Sequence, residues 1–343
     1  MIVLALVLDA PIAARAVRWL TREPRVESLA IDGVPAQLMR PARKGPWPAF
    51  VFVTGAHPLR RREPVVLRLG QGLARAGYLV VIPDLPGLGE GEIMHTTLDS
   101  AVRVVGWTTR RADVRGGRVA LCGASVGASL ALLVAGRPEL AHRITVIASI
   151  SPFADLEKMI CLATTGCYEE LEPQQVTTLL RRVVARSLLH SLPPGDERDR
   201  LLECVGDITS DDRDPLEPLR QVDATGLRPA ANGIVQLLSN ADPARFRGLY
   251  DGLPAEVHSL VARLSPLRGA SGVQAPVELA VPPLDQYFPP GEARSLVGSL
   301  PNVRLTVTAT LDHTRPTLSR VRLRELARFE RFVVRTLAHA AGR

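Results

Sequence analysis

RVALCGASVGASLALLVAG, Arg118–Gly136, changes character in its middle. The run up to Cys122 is continuous and apolar, as expected of a strand buried on both faces. Gly123, Ser125 and Gly127 then form a G-x-S-x-G pattern, and small apolar residues follow at helical length. A hydroxyl between two glycines at a strand-to-helix junction has the form of a nucleophile elbow. The turn is tight enough to strain the serine backbone, the glycines leave room for neighbouring chain, and the helix N-terminus favours developing negative charge. The competing reading is a Gly-Ser turn that merely starts a helix. Ser129, one turn on, reads as a small packing residue.

Outward from this stretch, strands and helices alternate. VESLAI and AQLMRP, joined by DGVP, read as a hairpin because Asp-Gly is a strong two-residue turn signal. PAFVFVT (48–54), YLVVIPD (78–84) and ITVIASIS (144–151) read as buried strands, with helices expected in PVVLRLGQGLARAG and over about 97–111. The rhythm stops after 152. Residues 156–268 carry helical patterns such as PQQVTTLLRRVVARSLLHSL and PAEVHSLVARL, punctuated by Asp, Pro and Gly. Strand character returns at VELAV (277–281) and VRLTVTAT (303–310), and a final helix is expected over 316–339 with Pro316 opening it. The expectation is an α/β chain with a mainly parallel sheet flanked by helices. It divides into an N-terminal segment (1–25), a core (26–155 and 269–343) and a helical insertion (156–268).

Composition narrows the classes. Of 343 residues, 46% are hydrophobic and 22% charged, which suits a globular chain with a substantial core. The net charge of +7 is carried by scattered arginines, the only lysines being Lys44 and Lys158, and aromatics are 4%. That pattern lacks the basic stripe with interleaved aromatics of a nucleic-acid binder. Cys122, Cys161, Cys167 and Cys204 show no paired metal-ligand spacing, so no metal site is expected, and reduced thiols are favoured over a local Cys161–Cys167 bridge. Residues 1–20 begin apolar but lack a basic leader and are broken at Asp9–Pro11, so a helix packing on the body or on a partner is preferred to a targeting or membrane role.

A serine nucleophile needs a base, and the base an orienting acid, in the chain order Ser, Asp or Glu, His. Asp285 in VELAVPPLDQYFPP and His313 in VTATLDHTRP follow the last two strands, where loops at strand carboxyl ends gather beside Ser125. Asp155 and Asp312 are the competing acids. The oxyanion donors expected are the N–H groups of Val126 and of Ala56 in VTGAHPLRRREP. His57 reads as an entrance or loop-bonding histidine, with direct catalysis as its alternative. Gly87, Gly89 and Gly91 miss the phosphate-binding spacing and read as loop-shaping.

These motifs together resemble the α/β-hydrolase superfamily. The resemblance rests on FVTGAHP, PDLPGLGEG, GASVGAS, PPLDQYFP and LDHTRP, with Thr54 where many members have histidine and Pro282–Pro283 where His-Gly is usual. It implies a serine hydrolase working through an acyl-enzyme, without metal or organic cofactor, whose insertion covers the site as a cap. Small to medium hydrophobic carboxylic esters are the expected substrates, with Ser125 as nucleophile, His313 as base and Asp285 as acid. A thioesterase, amidase or acyltransferase could use the same triad, and a hydrolase-like binding protein is the non-enzymatic alternative. A cytoplasmic location is expected, with export or membrane association through residues 1–20 left open.

Overall fold

The computed structural model describes residues 2–7, 11–169, 174–210, 213–317 and 323–342. Asp32 and Gly33 both take left-handed backbone angles (φ 47° and 81°), the conformation of a tight hairpin turn, and so close β1 (Arg25–Ile31) onto β2 (Val34–Arg40). The sheet continues through β3 (Trp47–Val53), β4 (Leu79–Pro83), β5 (Val114–Ala124), β6 (Ile144–Ile150), β7 (Val277–Val281) and β8 (Val303–Val307). Its order is β1-β2-β4-β3-β5-β6-β7-β8. Only the pairings of β2 with β1 and β4 are antiparallel; from β4 to β8 every neighbour is parallel. Every residue of β3, β4 and β7 is buried, which explains the unbroken apolar runs of β3 and β4 and leaves Glu278 as the one charge within β7.

Helices cover both faces. On one lie α1 (Ile2–Val7), α3 (Pro64–Ala76) and α16 (Leu323–Ala340); α2 (Pro11–Leu20) follows α1 and ends with Trp19 and Leu20 exposed. Val3, Leu6 and Val7 are buried, and a Cβ on Gly72 of α3 would come within 3.3 Å of the Val3 backbone, so the N-terminal segment packs on the body. On the other face lie α4 (His95–Thr109) and α5 (Val126–Ala135), with the short α6 (Pro138–Ala141) beyond. Helix α5 is buried along its whole length between the sheet and further helices, which is why it is apolar all round.

Between β6 and β7 the described chain is helical throughout. It runs through α7 (Leu156–Thr165), α8 (Thr178–Leu189), α9 (Asp196–Val205), α10 (Glu217–Arg220), α11 (Pro229–Ser239), α12 (Pro243–Asp251), α13 (Ala255–Leu264) and α14 (Pro266–Gly269). The start of the PQQVTTLL pattern, at 173, lies outside the described residues. Helix α15 (Pro290–Ser299) then joins β7 to β8.

Two expectations at the C-terminus need correction. Strand β8 stops at Val307 rather than 310, because the Thr308 hydroxyl bonds the Glu325 carbonyl (3.0 Å) and the Ala309 N–H bonds the Glu325 carboxylate (3.3 Å). Side-chain bonds of this kind draw the backbone out of the ladder. Pro316 does not open a helix; it pairs with Leu311 in a small hairpin of β9 (Leu311–Asp312) and β10 (Arg315–Pro316). Within the expected 316–339, residues 318–322 lie outside the described residues, and α16 is seen from Leu323. It is anchored by Arg335, which grips the buried Glu278 of β7 at 2.6 Å and the Thr306 hydroxyl at 3.1 Å. A buried carboxylate requires such a paired partner.

Candidate active site

Ser125 stands between the central strand β5 and α5 at φ 55° and ψ −127°, outside the ordinary regions for a non-glycine residue. Its N–H is held by the Ile150 carbonyl at 2.9 Å. The flanking glycines are required by close approach: a Cβ on Gly123 would collide with the Gly127 carbonyl, and one on Gly127 with the carbonyl oxygens of Val53 and Thr54. The sharp turn and the flush packing of α5 against β3 therefore both depend on missing side chains. Gly127→Ala is expected to cost about 3 kcal/mol of stability or more, measured by urea denaturation, because backbone cannot yield as a side-chain tip can.

The structure brings Ser125, His313 and Asp285 into one chain of contacts. Ser125 Oγ lies 2.9 Å from His313 Nε2, and His313 Nδ1 lies 2.8 Å from Asp285 Oδ2 and 3.0 Å from Oδ1. With Nδ1–H donating to the carboxylate, Nε2 is left to accept the serine proton. Asp285 also accepts N–H bonds from Tyr287 (2.8 Å) and Phe288 (3.2 Å). Burial alone would raise its pKa, but the His313 hydrogen bond and charge, with those two N–H groups, outweigh burial and hold it below the usual carboxylate value. The rings of Tyr287 and Phe288 flank His313, with centroids 4.4 and 5.4 Å from the imidazole. The rival acids stand elsewhere. Asp155 caps α7 by accepting the Glu157 N–H at 2.9 Å, and Asp312 is exposed at the cleft edge.

Val126 is the first residue of α5, so its N–H has no acceptor within the helix. Ala56 follows Gly55, where a Cβ would come within 3.2 Å of Ser125 Cβ; the loop thus lies directly over the elbow. Both residues line the cleft, and among the described residues neither N–H donates to a backbone carbonyl outside a helix or strand. His57 bonds its own loop: its N–H donates to the Leu88 carbonyl (3.1 Å) and its Nδ1 accepts from the Leu59 N–H (3.2 Å). Gly87 and Gly91 take positive φ (82° and 78°), and the Gly87 carbonyl accepts from Glu90 and Glu92, which makes them loop-shaping. All four cysteines are free, and burial pushes the Cys122 thiol up to about 12.

Three residues support the site through contacts that the sequence does not mark. Ser151, at the end of β6 with φ 48°, donates its hydroxyl to the His313 carbonyl at 2.8 Å and its N–H to Ala280 at 2.9 Å. It therefore fixes the histidine loop to the sheet edge. Ser151→Ala is expected to lower kcat on p-nitrophenyl acetate about tenfold with KM unchanged, since the loop rather than the substrate site is loosened. Glu292 of α15 is buried and accepts from the Ala154 N–H (2.5 Å), the Asp155 N–H (2.9 Å) and the Tyr168 hydroxyl (2.6 Å); burial pushes its pKa up despite these bonds. Ser129 is more than a filler, since its hydroxyl donates to the Phe153 carbonyl (2.8 Å) and accepts its N–H (2.9 Å). No local pattern marks these residues, because each partner is distant in sequence.

The cleft above Ser125 has a volume of about 260 Å³. Phe153, Leu156, Met159, Leu180, Val183 and Val184, from the start of the helical segment, form an apolar wall opposite the triad residues. No helix among the described residues is long and apolar enough to cross a membrane.

No curated protein matches the chain. Among solved structures it is similar to 2,6-dihydroxy-pseudo-oxynicotine hydrolase, at 16% identity and TM-score 0.52 over 93% of this chain and 69% of that one. It is also similar to Est1E from Butyrivibrio proteoclasticus, solved with ferulic acid bound, at 15% identity and TM-score 0.51 over 91% of this chain and 99% of that one. Dipeptidyl peptidase 4 of Porphyromonas gingivalis gives 12% identity and TM-score 0.53 over 95% of this chain but only 37% of that one. These likenesses are of fold, and the fold is that of the α/β-hydrolases. The sequence model of the X-Pro dipeptidyl-peptidase (S15) family matches residues 32–216, a span that includes the hairpin turn, the elbow and the first helices beyond β6. More than half of the 343 residues fall within that match, so the chain belongs to the X-Pro dipeptidyl-peptidase (S15) family and is a hydrolase of the α/β-hydrolase type.

Proposed function

We propose that the protein is a serine hydrolase that cleaves carboxylic esters of small to medium hydrophobic substrates through an acyl-enzyme. The observation that carries this reading is the continuous relay from Ser125 Oγ through the His313 ring to Asp285, with spacings of 2.9 and 2.8 Å. Ser125 attacks the ester carbonyl as His313 Nε2 takes its proton, and the Asp285 carboxylate stabilises the imidazolium that results. The N–H groups of Val126 and Ala56 hold the oxyanion of the tetrahedral intermediate. His313 gives its proton to the departing alcohol, then draws one from water to release the acid and restore the serine. The helices beyond β6 act as a cap, screening the site from bulk solvent while admitting the hydrolytic water, and selecting apolar groups against Met159 and Val183.

Family membership favours one second reading, removal of an Xaa-Pro dipeptide from a peptide N-terminus by the same triad. That reaction must recognise a free α-ammonium, whereas the wall contributed by α7 and α8 is apolar, which supports the ester reading. The two are separated by assaying p-nitrophenyl butyrate and Gly-Pro p-nitroanilide side by side, after fluorophosphonate labelling of the active serine. Ester turnover with labelling that vanishes in Ser125→Ala is the expected result. Faster turnover of the anilide would move the peptidase reading forward, and no labelling of folded protein would end the serine-hydrolase reading.

A further inference from the structure

A second cavity, of about 100 Å³, lies on the α3–α16 face of the sheet, behind the cleft. β5 and β6 line it with Cys122, Ala124, Ala148 and Ile150, and the two alanines leave space beneath α16 that larger side chains would take up. Its walls are apolar helix and strand residues, and Val3 and Val7 of α1 form its far end. Phe52, Val66 and Ala124 line both cavities, as do Glu63, Thr314 and Arg315, so the chamber and the cleft share a wall beside Ser125. Among the described residues common to both cavities, the charged ones are Glu63 and Arg315, opposite in sign and 3.7 Å apart, so this shared wall carries no net charge.

We propose that this chamber is an alkyl-chain pocket, which takes an unbranched hydrocarbon tail of the substrate while its carbonyl sits at Ser125. The proposal rests on the serine-hydrolase reading for the position of the carbonyl, but the pocket itself does not depend on the chemistry. It gives the site two apolar arms: one under α7 and α8, one between α3 and α16. Burying a methylene should raise kcat/KM roughly fourfold, until the chamber is full.

The test compares p-nitrophenyl esters from acetate to decanoate and n-alkyl acetates of matching lengths, in wild type, Val333→Phe and Leu69→Phe. Both substituted residues line the chamber and not the cleft. The expected result is a rise with chain length in one of the two series, which also shows whether the acyl or the alcohol tail enters. Either folded variant should lower kcat/KM for the long member at least tenfold and leave the acetate within twofold. Flat profiles in both series, or an unchanged rise in both folded variants, overturn the proposal. Calorimetric binding of decanoate to the same three proteins separates this failure from failure of the chemistry. Decanoate that binds wild type and not the variants sustains the pocket even if no ester turns over, and decanoate that binds all three alike overturns it.

Discussion

Ser125→Ala is expected to lower kcat by about 10⁴- to 10⁶-fold on any substrate the protein turns over, the loss seen when a nucleophile is removed from a working triad. The residual rate would come from Val126 and Ala56 holding the oxyanion and from binding alone. The position makes a second, sharper expectation available. At φ 55° Ser125 holds a backbone conformation that costs of order 1–3 kcal/mol for a residue with a Cβ, and glycine adopts it freely. Ser125→Gly should therefore be as inactive as Ser125→Ala yet melt higher, by roughly 2–4 °C for each kcal/mol relieved. Differential scanning fluorimetry of wild type and both variants, beside steady-state kinetics, measures the two effects together. A glycine variant no more stable than the alanine variant would show that the elbow stores no strain.

Asp285→Asn should lower kcat by about 10⁴-fold. The amide can donate to Nδ1, so the ring turns to the tautomer whose Nε2 carries the proton, and the serine loses its acceptor. The geometry of the loop should survive, because the remaining carbonyl oxygen can still accept from Tyr287 and Phe288. Stability should follow the depressed pKa of Asp285. A carboxylate that titrates lower when folded contributes stability that is whole above its unfolded value of about 3.9 and disappears as pH falls through the folded value. Melting temperatures from pH 6 down to pH 3 should thus fall less steeply for Asp285→Asn than for wild type. Parallel slopes would mean that other carboxylates dominate acid unfolding.

Much of this site could be read before any coordinates, for reasons that are local. The Asp32-Gly33 turn, the buried runs of β3 and β4 and the G-x-S-x-G junction each write their structure into adjacent residues, as a turn signal, apolar continuity or a required glycine. Asp285 and His313 could be found because parallel strands deliver the loops that follow them to one edge of the sheet. What escaped the reading depends on contacts made across the fold. Ser151 meets His313 across 162 positions, Glu292 meets Ala154 across 138, and Tyr168 meets Glu292 across 124. The chamber between α3 and α16 is still less legible, since it is set by side chains from strands and helices far apart in sequence. The early end of β8 was missed because a threonine hydroxyl competed successfully for backbone partners with the ladder that its β-branched sequence favours.

The three bonds converging on Glu292 carry a mechanical implication. They clamp Ala154, Asp155 and Tyr168, the two ends of the α7 segment, to the helix that directly follows the Asp285 loop. A body pinned at both ends moves as one piece. Helix α7, although it begins the helical layer, is thereby tied to the element that follows the Asp285 loop. The wall of the cleft therefore has two origins: Leu156 and Met159 stand on the clamped segment, whereas Leu180, Val183 and Val184 come from α8, outside the clamp.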